Sequence, residues 1–356
     1  MSYIDPRHKV LSHLGRLQDI KAGRTPPPIN VEIDLSNRCS LGCEWCHFAY
    51  THTRGPLAGK VATPNGRMAG GDLMDTTLAF DILDQLGIAG VRSVTWTGGG
   101  EPTLHPDFDT IIQYAHDDVG IDQGLYTHGG HISAARAELL KRAMRWVYVS
   151  LDECNQADYH RSKRVDRFHH ALAGIRNLVD AAGDATVGIG FLLHPGNLRQ
   201  VEDMVELFQD IGADYCQFRP TVAYDQHQPC YANEDTSWID AAVEYLREVE
   251  ELPGVMADLE RFRMYQEWTV HPYTTCNWSA VQTVITPNGR VWRCVNKREH
   301  TGALMGDLST DSFANIWSRA GGPCRVDADC RVMCRGHIGN ITLDAIMTEP
   351  AHRNFI

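Results

Sequence analysis

"NVEIDLSNRCSLGCEWCHF", residues 30–48, joins two signals. "NVEIDLS" (30–36) alternates apolar and polar side chains, the period of a β-strand. Directly behind it, Cys39, Cys43 and Cys46 fall within eight positions. Three thiols cannot pair off among themselves, since one always remains. A strand that runs into a loop with three sulfur donors implies something held between them.

Outward from this stretch, strand-like runs recur as "SVTWTG" (93–98), "QGLYTH" (123–128), "WVYVSLD" (146–152), "TVGIGFLL" (186–193) and "YCQFRPT" (215–221). Amphipathic segments lie between them at 76–87, 106–117, 133–143, 168–182 and 198–211. In the last, Val201, Met204, Val205, Leu207 and Phe208 recur at helical spacing. Strands alternating with helices predict an α/β fold of parallel strands joined by right-handed crossovers. Six units are fewer than the eight of a closed barrel, so the expectation is an open, partial (β/α)6 TIM-like barrel. Reactive groups in such folds gather at the C-terminal strand ends. Those ends read "SNRCSLGC", "TGGGEP", "THGG", "SLDEC" and "HPGN".

Past residue 222 the pattern changes. A loop leads to a helix over 236–252, and "CNWSAVQTVITPNGRVWRC" (276–294) reads as a hairpin turning at Pro287-Asn288-Gly289. The predicted organisation is an N-terminal extension (1–28), the barrel (29–222), a linker loop and helix (223–265) and a small cysteine-rich α+β domain (266–356).

Composition narrows the function. A net charge of −12 argues against nucleic acid or anionic membrane as partner, because neither binds an acidic surface by counterion release. No apolar run is long enough to span a bilayer, and the opening "MSYIDPRHKVLSHLGRL" lacks the pattern of a signal peptide. The expected compartment is cytoplasmic. There the 11 cysteines read as metal or catalytic ligands rather than disulfides.

What the first loop holds is a matter of ligand count. A structural zinc wants a fourth ligand, and His47 directly follows Cys46, an awkward neighbour for chelation. A [4Fe–4S] cube with three cysteines keeps one iron open to another ligand.

The C-x3-C-x2-C loop after the first strand, followed by "GGGEP", closely resembles the radical S-adenosylmethionine (SAM) enzymes. That resemblance covers about residues 29–222. It implies that Cys39, Cys43 and Cys46 ligate a 4Fe-4S cluster whose open iron chelates SAM, and that Trp45 packs near the adenine. An electron then cleaves SAM to a 5′-deoxyadenosyl radical, which takes a hydrogen atom from substrate. Gly99, Gly100 and Glu101 resemble the family's GGE motif, with Glu101 turned to the SAM ammonium. Ser150 and Asp152 resemble its "SLD" strand end, near the ribose and methionine carboxylate. His128 departs from the usual "TNG", and Lys163 stands where relatives carry a base for the carboxylate.

Cys276-x12-Gly289-x4-Cys294 resembles the opening of the SPASM and twitch extensions. Cys324-x5-Cys330-x3-Cys334 resembles the later SPASM pattern, with Gly321 where a further cysteine would fall. The resemblance implies one auxiliary 4Fe-4S cluster on Cys276, Cys294 and Cys334, with Cys330 ahead of Cys324 as fourth ligand. A four-thiolate zinc site is the alternative. A closed auxiliary cluster passes electrons, which favours net oxidation over redox-neutral epimerisation, decarboxylation or elimination.

The resemblance offers two candidates to finish the reaction: Cys154, a hydrogen-atom donor as in some relatives or an ordinary loop cysteine, and Arg219, a bidentate anchor for a substrate carboxylate or phosphate or a structural salt-bridge partner. Cys216 reads as core, and Cys230, in the loop after the sixth strand, as either a structural or a functional cysteine. His160, His169, His170 and His194 read as surface or core histidines. The expected substrate is a sugar-like small molecule or a peptide. The short stretch before the first strand leans the expectation toward the small molecule, since it leaves no room for a leader-recognition domain. The resemblance also implies an electron donor such as a flavodoxin or ferredoxin.

Overall fold

In the computed structural model, which describes residues 6–43, 45–46, 72–221, 237–267, 271–298, 301–327, 330, 334–349 and 351, two short helices come first. These are α1 (Pro6–Leu11) and α2 (Leu14–Lys21). Then β1 (Asn30–Asp34), β2 (Ser93–Thr97), β3 (Asp122–Thr127), β4 (Trp146–Ser150), β5 (Thr186–Leu193) and β6 (Tyr215–Pro220) follow in spatial order, each parallel to the last. The helices at the crossovers are α3 (Thr76–Ala89), α4 (Phe108–Tyr114), α5 (Ala134–Ala143), α6 (Gln156–Lys163), α7 (Phe168–Asp180) and α8 (Val201–Ile211). Local signals set their ends. Asp75 accepts from the Leu78 amide to cap α3, whose last turn closes on Gly90 at φ 81°.

Successive strand residues face opposite sides. One set, including Val31, Ile33, Val94, Trp96, Leu125, Val147, Val149, Ile189, Phe191 and Phe218, forms the main core. The opposite face, the barrel interior, carries Glu32, Asp34, Tyr126, Tyr148, Tyr215 and Arg219 in the same registers. Its aromatic rings fill space that glycines leave open. A Cβ built on Gly190 would lie 2.0 Å from Tyr148 Oη. Gly190→Ala must therefore displace a fully buried ring on which the Arg219 guanidinium rests at 4.9 Å. The expected cost is about 1–3 kcal/mol, read as a lower urea midpoint at unchanged slope.

The partial barrel is as predicted, with two additions. A seventh short strand, β7 (Val255–Ala257), pairs parallel to β6, after α9 (Ser237–Val249) and before α10 (Leu259–Glu267). The C-terminal hairpin turns at Gly289 as expected, but it builds no sheet of its own. Its strand β9 (Gln282–Ile285) pairs in parallel with the free edge of β1, and β10 (Arg290–Trp292) and β11 (Leu304–Asp307) continue to a ten-stranded sheet. An exposed β1 edge would leave a row of unpaired backbone groups next to the cysteine loop. The hairpin covers it. A separate antiparallel pair joins β8 (Thr275–Cys276) to β12 (Cys324–Arg325), flanked by α11 (Phe313–Ala320) and α12 (His337–Met347). The N-terminal extension also belongs to this side. Val10, Leu17 and Ile20 pack with Ala280, Val281 and Leu343 in a second, small core.

Candidate active site

The cysteine loop leaves β1 and is locked at once to the end of β2. The Glu101 amide donates to the Arg38 carbonyl at 2.7 Å. A Cβ at Gly100 would lie 2.3 Å from that same carbonyl oxygen, and one at Gly99 would lie 2.3 Å from Asn37 Oδ1. The sequence suggested glycines here for close approach to a ligand. In the structure, the close approach is to the loop that carries the cysteines.

Glu101 likewise proves to be a brace. Its buried carboxylate accepts from the Thr103 amide and hydroxyl, from Thr127 Oγ1 and from the His128 amide. Three of these donors converge on Oε1 and only the His128 amide reaches Oε2, so the acceptor capacity that remains for a ligand ammonium lies on Oε2. Burial works to raise the carboxyl, but the neighbouring His128 and these hydrogen bonds hold it below the usual carboxylate range. His128 extends the brace into the cysteine loop. The Gly130 amide donates to His128 Nδ1 at 3.0 Å, which assigns the ring proton to Nε2. Nε2 then donates to Ser40 Oγ at 3.0 Å, and that hydroxyl points on to His131 Nε2 at 3.2 Å. Burial keeps both rings below the ordinary histidine range, His131 at about 4. His131 escapes sequence reading because it lies past the strand end in "THGGH", outside any motif.

A second constellation comes from β4, β5 and α6. At the end of β4 the Leu151 and Asp152 amides both turn to the Gly190 carbonyl. Asp152 adopts φ 68°, a conformation that Asp tolerates better than most side chains. Its carboxylate is thereby directed to Lys163 Nζ, and both groups are buried. Burial alone would disfavour the Lys163 ammonium, but Asp152 and Cys43 more than offset it and hold the amine charged. The same Nζ lies 5.1 Å from the Trp45 ring centre, and His194 packs against that ring at 5.2 Å. His194 meets Glu153 at 3.3 Å, both fully buried, and Glu153 Oε2 accepts no hydrogen bond among the described residues. Ser150 is half-buried beside Gly190 in register.

Among these groups sit the three cysteines. Burial and then the charge of Cys43 push the Cys39 thiol far up, and Cys43 is raised to about 11 by burial against the pull of Lys163. Thiols that oppose one another's ionisation suit a cationic metal core, which deprotonates its ligands outright. The donor set fits an iron–sulfur cluster.

The five C-terminal cysteines also converge. Cys276 and Cys324 face each other across the β8–β12 pair and share a hydrogen bond that lowers Cys324 to about 6. Cys276 also feels Cys334, Cys294 feels Cys324, and Cys334, raised to about 11 chiefly by burial, feels Cys294. Those four form a closed ring. Cys334 also feels Cys330, whose sulfur accepts from the Asp327 amide at 3.5 Å and neighbours Lys297. Cys324 thus approaches the set through the β8–β12 pair and Cys330 through Cys334. Among the described residues no three Cys, His, Asp or Glu side chains crowd closely enough for a single metal ion.

The other candidates separate clearly. The Cys154 thiol donates to Gln200 Oε1 at 3.0 Å and is raised to about 11 by burial. Cys216 is buried in the core, as read. His160, His169 and His170 are exposed. Arg219 faces the barrel interior over Tyr148. Cys230 and His47 lie outside the described residues.

A trio of thiols at the mouth of an open parallel barrel, with a second thiol ring beside its first strand, defines an iron–sulfur enzyme of the SAM-radical type. The comparisons agree. Residues 33–208 match the Radical SAM superfamily, and residues 276–321 match the SPASM iron-sulfur cluster-binding domain. The chain belongs to the radical SAM superfamily, and its cofactors are SAM, a 4Fe-4S cluster and auxiliary iron–sulfur chemistry in the SPASM region. It is 27% identical to the PqqA peptide cyclase of Streptomyces rochei over 92% of both chains. It is 26% identical to a probable GTP 3′,8-cyclase of Methanocaldococcus jannaschii over 52% of this chain and 56% of that one. Streptococcus suis SuiB bound to S-adenosylmethionine shares the fold at TM-score 0.64 and 16% identity, over 87% of this chain and 70% of that one. The anSMEcpe structure with bound AdoMet follows at 0.62 and 15%, over 83% and 80%. Among the described residues no helix is long and apolar enough to cross a membrane.

Proposed function

We propose that this enzyme oxidises a peptide by taking a hydrogen atom from an unactivated C–H bond, with loss of a proton from the substrate radical and passage of the remaining electron to an auxiliary cluster. The observation that carries this reading is the ring of Cys276, Cys294, Cys324 and Cys334 beside β1. Four thiolates on one cube close it to substrate and suit it to electron transfer. When bound, SAM and the first cluster supply the organic radical. Cys39, Cys43 and Cys46 are assigned to that cluster, with Trp45, Ser150, Asp152, Lys163 and His194 around SAM. In this reading Glu101 and His128 act on the loop that holds the cysteines, and Arg219 binds the substrate from within the barrel.

A peptide substrate is favoured over a small molecule because a relative matched along 92% of both chains bears the name of a peptide cyclase. A short lead-in to the first strand is therefore no argument against peptides. Cys154 is not assigned a hydrogen-donating role, since its thiol is spent on Gln200.

The test is isotope tracing under anaerobic, reduced conditions. Peptides deuterated at side-chain carbons are expected to transfer deuterium to 5′-deoxyadenosine, with product lighter by two hydrogens. Product of unchanged mass would show redox-neutral chemistry, and label transferred only from small molecules would overturn the peptide reading.

A further inference from the structure

Glu32 is a carboxylate in the middle of a strand, only 2% exposed, and no motif accounts for it. Such a group is costly to bury unless its partners are close. Its partners come from three separate places, and each place follows a cysteine of the C-terminal set. Gln282, six residues after Cys276, donates to Glu32 Oε1 at 2.9 Å. Arg298, four after Cys294 and itself only 3% exposed, donates to Oε2 at 3.1 Å. Arg335, next after Cys334, donates to Oε1 as well. Arg298 also places its Nε 3.3 Å from Asp34 Oδ2, one pleat further along β1 toward the Cys39 loop.

Two acidic side chains of the barrel therefore meet two guanidinium groups of the thiol ring. From this convergence we infer that Glu32 is a positioning residue: it docks the three cysteine arms on β1 and sets the placement and charge environment of the auxiliary cluster. The inference rests on the reading that Cys276, Cys294 and Cys334 hold such a cluster. The backbone pairing of β9 with β1 fixes only the Cys276 arm's strand. The Cys294 and Cys334 arms reach β1 through their side chains, and both end on this one carboxylate.

The physical consequence has a sign. Glu32 and Asp34 compensate the positive charge of Arg298 and Arg335. Removing one carboxylate charge leaves these arginines less balanced beside a cluster that grows more negative on reduction. The reduced state gains, so the midpoint potential rises.

The experiment compares wild type with Glu32→Gln and Asp34→Asn, each carrying its clusters. First, iron and sulfide are counted on wild type and on a chain lacking Cys39, Cys43 and Cys46. Potentials are then read by redox titration with electron paramagnetic resonance, and iron release to a chelator is timed. Glu32→Gln is expected to shift the auxiliary potential upward and to hasten loss of its iron by on the order of 10-fold. The first cluster's signal should be unmoved. Asp34→Asn leaves the Gln282 and Arg335 contacts in place, so it should raise the potential with little change in iron release. It also serves if the Glu32 variant does not fold. Iron for only one cube in wild type would defeat the underlying reading. Two cubes with unmoved potential and release rate in both variants would defeat the role given to Glu32, as would a loss of folding stability alone.

Discussion

With alanine at Cys39, Cys43 and Cys46 together, the expected result is complete loss of SAM cleavage while roughly four irons stay with the chain. The two halves of that outcome come from different parts of the structure. The three cysteines occupy a loop bound to Gly100 and Glu101 by backbone contact and to His128 and His131 through Ser40. None of those contacts uses a thiol, so the loop's anchoring survives the substitutions. The second thiol set rests on β8, β12 and the hairpin, held on β1 by strand pairing and by the contacts of Gln282, Arg298 and Arg335 with Glu32. It needs nothing from the first loop to assemble. Iron and sulfide analysis with visible absorption, beside chromatography for 5′-deoxyadenosine, checks both halves. Loss of all iron would show that the C-terminal cysteines hold no cube of their own. Residual 5′-deoxyadenosine would remove the first loop from its assigned role.

The barrel was legible because its signals are periodic. Each of the six predicted strands appears within two residues of its expected ends, since alternation and flanking glycines mark them. Helix α6 was not foreseen. Its buried positions are Tyr159, Ser162 and Lys163, so no apolar stripe announces it, although it delivers the lysine that faces Asp152. The parallel pairing of β9 with β1 was equally hidden, because strand partners more than two hundred residues apart leave no local trace. At the site, residue types were readable but their partners were not. "GGGE" suggested ligand contact, and it gave no hint that Gly99, Gly100 and Glu101 also pack on the cysteine loop and the β3 end. The approach of Cys324 to Cys276 depends on a two-residue strand pair that no spacing encodes.

Lys163→Met should be among the most destabilising single changes in the barrel, at about 3–5 kcal/mol in the metal-free chain. The ammonium and the Asp152 carboxylate are both nearly inaccessible, at 2% and 3% of side-chain surface. Methionine fills the space of the lysine stem and keeps contact with Trp45, so packing changes little. What remains is an uncompensated buried carboxylate, held by a left-handed backbone. Asp152→Asn strands the ammonium in the same way. The double variant Lys163→Met with Asp152→Asn removes both charges and should recover much of either loss, because a neutral pair carries no comparable desolvation cost. A double-mutant cycle in urea therefore reports a large coupling energy between positions 152 and 163. Single losses below about 1 kcal/mol would mean that solvent reaches the pair and that it behaves as a surface ion pair. Under the proposed placement of Lys163 and Asp152 around SAM, the double variant still fails to cleave it, and recovered folding with absent cleavage separates the pair's stabilising role from its proposed role at SAM.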